Sequence, residues 1–537
     1  MGAASYAPID APPRRAGRVA LVAVAAGLLV AGALYPHTAA PPLALATAAA
    51  KTTVALTYAD FLAVDEVCKY VRQQEGEDCY DVAAATLLKY VPRRVELTVD
   101  RALVEGSVGA GVGAQAAEGY VAFNIVWMDE SDEEFSSWLV VLDYAGAIRT
   151  MVPFYEGKSV YRAAGFKMWS AAEMVMGASR GSFMGWAYKF DWKTGDYAQL
   201  STASINIHDL QKAKDGSAFW SAIKSEEIQK TCVDTNKACA DSTTSAIAGV
   251  PSKDVDDINH VQPIEDDAKI VISSRSTNAI YKVWASNMTK IWALGGDDGD
   301  FGIIGYTGDY YAPGSSYWVG QHNAEYVGDD EYAMFDNNYD RAQRNSRLLV
   351  VEAADGAANA SVVWEYDVGV YSQMFGDNDR LPTGNMFACW WPSETINGSD
   401  AYEARVAEIT RSTMETAFQL DIFGKETCAA GESCDRETGW LMYSAERFYD
   451  RPLVWDVACD GRDLSFKVAN NFKQASAYDG TYAATSAKGD AVASGDFAFG
   501  AHWREKKVTA TLSSASKDGT LEVTNQYGDT TSVTYRC

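Results

Sequence analysis

Between Asn259 and Leu294 the chain carries four short runs separated by turn residues: Asn259-His260-Val261-Gln262-Pro263-Ile264, Ile270-Val271-Ile272-Ser273-Ser274-Arg275, Ala279-Ile280-Tyr281-Lys282-Val283 and Lys290-Ile291-Trp292-Ala293-Leu294. The same order returns from Gln321 to Tyr366, and again from Arg380 through Met386-Trp391 and Glu403-Ile409 to Leu420. Weaker copies precede them at Trp138-Asp143 with Ile148-Val152, at Trp186-Asp191 with Tyr197-Leu200, and from Ile207 onward. Short β-branched and aromatic runs bounded by Gly, Asp and Asn are the pattern of antiparallel strands. A sheet of four such strands exposes two edges, and radial repetition around a channel protects them. The repeat therefore predicts an all-β chain whose centre is a six-bladed β-propeller over residues 118–424, with function at the mouth of the channel.

The flanks read differently. Residues 51–117 predict a short helical segment, because Tyr58-Ala59-Asp60-Phe61-Leu62 and Val82-Leu88 place apolar residues three and four apart. Residues 425–537 predict a C-terminal β-sandwich-like domain from Leu453-Val457, Leu464-Val468, Val508-Leu512 and Ser532-Tyr535. Its only histidine, His502, has no catalytic companion and reads as a surface or packing residue. Residues 1–50 form a targeting segment: Arg14, Arg15 and Arg18 precede an uncharged run from Val19 to Tyr35. That run suits an uncleaved anchor, with Ala44-Leu45-Ala46 and Ala46-Thr47-Ala48 as cleavage sites under the alternative reading of a signal peptide. Either way the rest of the chain is expected in the secretory pathway, on a single-pass membrane protein with a lumenal or extracellular domain, or secreted.

The nine cysteines agree with an oxidising compartment. Four pairs are expected, Cys68 with Cys79, Cys232 with Cys239, Cys428 with Cys434 and Cys459 with Cys537, leaving Cys389 as a buried thiol in an apolar run. Glycosylation sequons begin at Asn287, Asn359 and Asn397. A formal charge of −26, from 46 basic and 72 acidic residues, argues against nucleic acid as a partner.

Only five histidines occur, and His208, His260 and His322 open successive copies, 52 and 62 residues apart. Equivalent positions of a propeller are related by rotation about the channel, so these side chains are expected to converge, with Arg275 within reach. Converging imidazoles serve a metal or an oxyanion. An adjacent arginine repels a cation and suits an anion. Asp209 and Asp257 keep the metal reading open as an alternative.

Several segments in order resemble the arylsulfotransferase family: Ile207-His208-Asp209, Asn259-His260-Val261-Gln262, Ser273-Ser274-Arg275, Gly295-Gly296, Gln321-His322-Asn323-Ala324, Phe335-Asp336-Asn337, Ser346-Arg347-Leu348, Val363-Trp364-Glu365-Tyr366 and Leu381-Pro382-Thr383-Gly384-Asn385. The likeness spans about residues 120–424. It implies a six-bladed propeller that moves a sulfuryl group from an aryl sulfate ester to a phenol, with no nucleotide donor and no cofactor or metal. It also implies His322 as the nucleophile forming a sulfohistidine, supported by His208, His260 and Arg275. Gln262 and Ser276 depart from the family's pattern, which is expected to carry Asn and His there.

The partners implied are therefore a small phenolic donor and acceptor, with the membrane engaged only through the N-terminal segment. A second class remains open, a non-catalytic propeller that binds a ligand or partner. The loop from Asp297 to Gly320, rich in aromatic residues, has two readings: a stack over the channel mouth for a phenolic substrate, or packing onto its own blade.

Overall fold

The computed structural model describes residues 51–537 apart from 106–111, 129–133, 157–158, 181–182, 202–203, 225, 240–246, 249, 251–254, 340–343, 394–401, 425–438 and 515–517. Six sheets, antiparallel except where Gly302–Ile304 pairs parallel with Asn359–Asp367, stand as blades around one axis. Their inner strands are Gly439–Phe448, Arg162–Met168, Leu210–Lys212, Ile258–Ile264, His322–Gly328 and Asp377–Arg380. Each of these strands touches the next and the last touches the first, so the ring is closed. The all-β propeller expected from the repeat is the fold of the protein.

Inner strands are buried on both faces, and the residues they turn toward the axis are polar. Lys167, Gln211, Gln262, Glu325, Asp379 and Glu446 come from six different inner strands, and all are buried. This explains one boundary that the sequence misplaces. The repeat places the first strand of the sixth blade at Arg380 to Asn385, whereas that strand is Asp377–Arg380 and Leu381 to Asn385 form the turn into Met386–Trp390. Its Asp377-Asn378-Asp379 run lacks apolar alternation because it lines a polar interior.

Closure of the ring crosses the expected domain lines twice. Gly439–Phe448 lies beyond residue 424, yet it pairs with Tyr120–Met128 and forms the inner edge of the first blade, followed outward by Glu134–Asp143 and Ile148–Pro153. Arg447 fastens it: Nη1 donates to Tyr120 O at 2.9 Å and Nη2 to Ala116 O at 2.7 Å, with the guanidinium 3.5 Å over the Tyr144 ring. At the other end, Arg94–Val99 adds to Thr416–Phe423 of the sixth blade and Thr52–Thr57 adds outside it. The segment read as helical therefore contributes two strands as well as the helices Tyr58–Leu62, Asp65–Glu75 and Ala84–Tyr90. Strand partners more than three hundred residues away leave no local mark in a sequence.

The 297–320 loop packs onto its own blade. Gly302–Ile304 runs beside Asn359–Asp367 at the outer edge, Trp318 is fully buried, and Tyr317 donates to Glu365 Oε2 at 2.6 Å. Only Ile304, Tyr306 and Tyr310 among its large apolar residues are exposed, on the outer part of the blade away from the channel.

The C-terminal unit is a sandwich of a three-stranded sheet (Leu453–Asp460, Asp463–Ala469, Lys506–Thr511) and a four-stranded one (Tyr478–Ser486, Ala491–Phe499, Asp518–Asn525, Thr530–Arg536). Phe466, Val468, Leu521 and Val523 form its core. It seats against the ends of the inner strands away from the blade starts, where Arg504 donates to Val327 O at 2.8 Å and to Gly328 O at 2.6 Å. His502 is a packing residue, buried and edge-on to Tyr326.

Disulfides join Cys68 to Cys79, Cys232 to Cys239 and Cys459 to Cys537. Cys389 is a buried free thiol, which burial pushes well above the usual thiol range. The Cys428–Cys434 pair, the sequon at Asn397 and the targeting segment 1–50 lie outside the described residues. Asn287 and Asn359 are exposed. Among the described residues no helix is long and apolar enough to cross a membrane.

Candidate functional site

His322 is the first residue of the fifth blade's inner strand and is buried. Its Nδ1 lies 2.7 Å from Asn337 Oδ1. The Asn337 amide is oriented by its own Nδ2, which donates to Ser372 O and Phe375 O, both at 2.9 Å. Nδ1 therefore carries the proton and Nε2 the lone pair, which accepts the Phe375 backbone N–H at 3.2 Å. Burial, and then the charge of Arg275, pull the imidazole down to about 3, against the Asn337 hydrogen bond and Asp257. At neutral pH the ring is uncharged.

His208 lies in the turn before the third blade's inner strand, its Nδ1 against Asn206 Oδ1. Phe183 stacks on the ring at 4.0 Å between centroids. Tyr443, from the strand that closes the ring, stands 5.6 Å from His208 and 6.1 Å from His322. Phe375 completes an aromatic wall, 5.0 Å from Tyr443 and 5.9 Å from Phe183.

Arg275 follows the second strand of the fourth blade. Its Nη1 meets Asp257 Oδ2 at 3.1 Å and its guanidinium lies 4.9 Å over Tyr339. Burial would raise the Asp257 carboxyl, but His208, Arg275 and His322 together hold it below the ordinary value. One carboxylate thus feels three of the residues that the sequence selects. Asp257, Asn323 and Phe375 all take left-handed backbone, φ 56, 46 and 65 respectively. For a bulky residue such as Phe375 that conformation costs about 1–3 kcal/mol, and it gathers at functional sites. Here it aims the Phe375 N–H at His322.

His260 is brought to the same blade starts but has a different partner. Its Nδ1 lies 2.9 Å from Asp209 Oδ2, and its Nε2 is shut from solvent without a hydrogen-bond partner. Asp209 also accepts Val261 N–H at 3.1 Å and Gln211 Nε2 at 3.2 Å on both oxygens. Burial works against its charge, yet His260, Lys167 and the Val261 amide keep its pKa low. So two of the three histidines hang from amides and one from a carboxylate.

Further along the channel lies a buried ionic network. Lys167 meets Glu446 Oε1 at 2.7 Å, and Lys473 from the C-terminal unit meets Glu325 Oε2 at 2.7 Å and Asp379. Burial raises Glu446 to about 8 and Asp379 to about 6, whereas the two lysines overcome burial at Glu325 and take it to about 2. Asp377, Asp379 and Glu446 are the ligand-type side chains that converge within 4.8 Å among the described residues; the three histidines do not form such a group.

Sequence reasoning reached His208, His260, His322 and Arg275 through the repeat and the resemblance. It passed over Asn337 as an anchor although that residue stands in a quoted motif. It missed Phe183, Phe375 and Tyr443, which belong to no histidine-bearing segment. Gln262 does not enter the site, since it donates to Glu325 Oε1 and Tyr326 O.

Among solved structures, the chain is similar to a candidate 6-phosphogluconolactonase from Bacteroides fragilis at 11% identity, covering 74% of this chain and 99% of that one, with a TM-score of 0.33. It is also similar to the C-terminal WD40 domain of Sif2 at 13% identity, covering 66% and 78%, with a TM-score of 0.29. Hydrazine synthase of Kuenenia stuttgartiensis follows at 12% identity, covering 68% and 93%, with a TM-score of 0.28. No curated protein matches the chain. The family model described as Arylsulfotransferase (ASST) matches residues 233–430, which contain His260, Arg275 and His322 together with Asn337 and Phe375. Through that segment, the chain carries the pattern of the arylsulfotransferase family.

Proposed function

We propose that the protein transfers a sulfuryl group from an aryl sulfate ester to a phenol through a transient sulfohistidine at His322, without a nucleotide donor. The observation that carries this reading is the state of His322: a buried, neutral imidazole whose Nδ1 proton is tied to Asn337, leaving the Nε2 lone pair beside Arg275 and an aromatic wall. Nε2 attacks sulfur, the N–S bond forms, and the bond from sulfur to the aryl oxygen breaks. A phenol oxygen then attacks the same sulfur, the N–S bond breaks, and the acceptor's proton is released.

Sulfuryl transfer spreads negative charge over the sulfuryl oxygens, so positioned cationic and N–H donors supply the stabilisation. Arg275 is the cationic donor. The Phe375 N–H, released from Nε2 once that lone pair is used, is the neutral one. Phe183, Phe375 and Tyr443 offer ring faces to the aryl groups.

The phenolate that leaves first takes a proton and the second phenol later gives one up, so a group must hold a proton before the first step, be without it while the sulfohistidine exists, and regain it in the second. His260 is suited to it because its Nδ1 faces the Asp209 carboxylate, a partner that the other two histidines lack at that nitrogen. The protein is further proposed to work in the secretory pathway, held by or cleaved from its N-terminal segment, a reading supported by three disulfides and two exposed sequons.

The test is to incubate the protein with 4-nitrophenyl sulfate and no acceptor, then map peptides at neutral or alkaline pH. A single sulfuryl group on the peptide containing His322, absent from His322→Ala, supports the reading. A His322→Ala protein that transfers at the wild-type rate overturns it.

A further inference from the structure

At the end of the inner strands opposite His322, three arginines share too few carboxylates. Arg411 grips Glu331 with both nitrogens, Nη1 to Oε2 at 2.9 Å and Nη2 to Oε1 at 2.5 Å. Arg504, from the C-terminal unit, reaches the same Glu331 Oε2 at 3.5 Å and pairs with Asp329 at 2.7 Å. Arg380 ends the sixth blade's inner strand. Asn378, two residues earlier and so on the same face of that strand, donates to Met334 O and Leu349 O at 3.1 Å each. Two residues further along, Arg380 comes level with the start of Glu331–Asp336.

Its Nε and Nη1 are closed off from solvent and have no hydrogen-bond partner. Arg380 as a whole is half-buried, but an arginine does not discharge in a protein, so a guanidinium with two of its three nitrogens sealed off calls for an anion. Asp329 does not serve, because its side chain is 77% exposed and faces Arg504. The three guanidinium charges exceed the two carboxylates around them. Burial, then Arg504 and Arg411 in opposition to Glu331, pull the Arg380 pKa down to about 10, which is the mark of a cation among cations.

We propose that Arg380, Arg411 and Arg504 hold a small tetrahedral oxyanion, sulfate or inorganic phosphate, which ties the sixth blade to the C-terminal unit. The planar fork of a guanidinium matches the oxygen spacing of such an anion, and the three arginines come from three separate chain segments. The site lies at the end of the inner strands away from His208, His260 and His322, so its role is structural and does not depend on the transfer reaction.

Thermal unfolding of the intact protein at fixed ionic strength tests the site, with sodium sulfate or sodium phosphate replacing sodium chloride. A rise in Tm that saturates with anion concentration is expected, since a ligand bound only by the folded state stabilises it. Saturation by sulfate alone, by phosphate alone or by both supports the site and names its ion. In Arg380→Met the saturable rise should vanish, while Tm in chloride should equal or exceed that of the wild type, because a half-buried charge set among other cations has been removed. Arg380→Lys, which keeps the charge but not the fork, should need at least tenfold more anion for the same rise. Equal responses of wild type and both variants, a response that follows ionic strength alone, or an Arg380→Met protein less stable than wild type in chloride each overturn the proposal.

Discussion

Asn337 Oδ1 receives the Nδ1 proton of His322 at 2.7 Å, and its amide is turned that way by two backbone carbonyls of the 372–375 segment. The neutral amide favours the charged ring only through one hydrogen bond, whereas a carboxylate at the same point adds a full negative charge that favours imidazolium more strongly. Asn337→Asp should therefore raise the His322 pKa. Transfer by the variant should be depressed at neutral pH and recover as pH rises, with about tenfold loss for each unit that the pKa lies above the assay pH. A pH–rate profile checks this, and a profile identical to wild type would contradict it.

Asp209 is the partner that separates His260 from the other two histidines. If the pair holds the proton that the leaving phenolate needs, Asp209→Asn should slow transfer roughly a hundredfold from donors with poorly acidic phenols and less than tenfold from 4-nitrophenyl sulfate. Rates across a series of aryl sulfates measure it. A uniform loss would assign Asp209 a structural role only.

His502 is held at about 3 by burial and by Lys473 and Arg504, against an ordinary 6.5. Its folded-state pKa is depressed, so the unfolded chain binds the extra proton between those values. Its contribution to stability is present above about 6.5 and is lost toward 3, with a slope of up to about 1.4 kcal/mol per pH unit. His502→Asn removes the titration and suits the left-handed backbone at φ 53. Denaturant melts between pH 7 and 4 should show the variant losing less stability than wild type, and parallel pH profiles would refute the assignment.

The disulfide from Cys459 to Cys537 spans 78 residues and brackets the sandwich. Loop closure of that length stabilises by about 4 kcal/mol. Cys459→Ser with Cys537→Ser should lower the unfolding midpoint of the C-terminal unit. Limited proteolysis should then cut between residues 453 and 536 before it cuts the blades.

The blades that begin at Ile258 and His322 are legible in the sequence because their outer strands alternate or run apolar between clear turns. The sixth blade's first strand is not, because Asp377, Asn378 and Asp379 face a polar interior that reverses the usual pattern. His208 and His322 declare themselves by position in the repeat. Phe375 and Tyr443 do not, since one enters the site from a loop and the other from a strand whose partner is more than three hundred residues upstream. The difference between His260 and its two counterparts lies in a side chain of the preceding blade start, Asp209, and becomes visible only when neighbouring blades are set side by side.

Tyr443 reaches the histidines on the strand Gly439–Phe448, which completes the first blade. During synthesis that strand leaves the ribosome after every other blade strand has been made. Until it docks, the first blade has no inner strand, the channel is open along one side, and the pocket around His322 lacks a wall. A growing chain can thus fold blade after blade without assembling the surroundings of His322, and the site arrives in one step, with the ring.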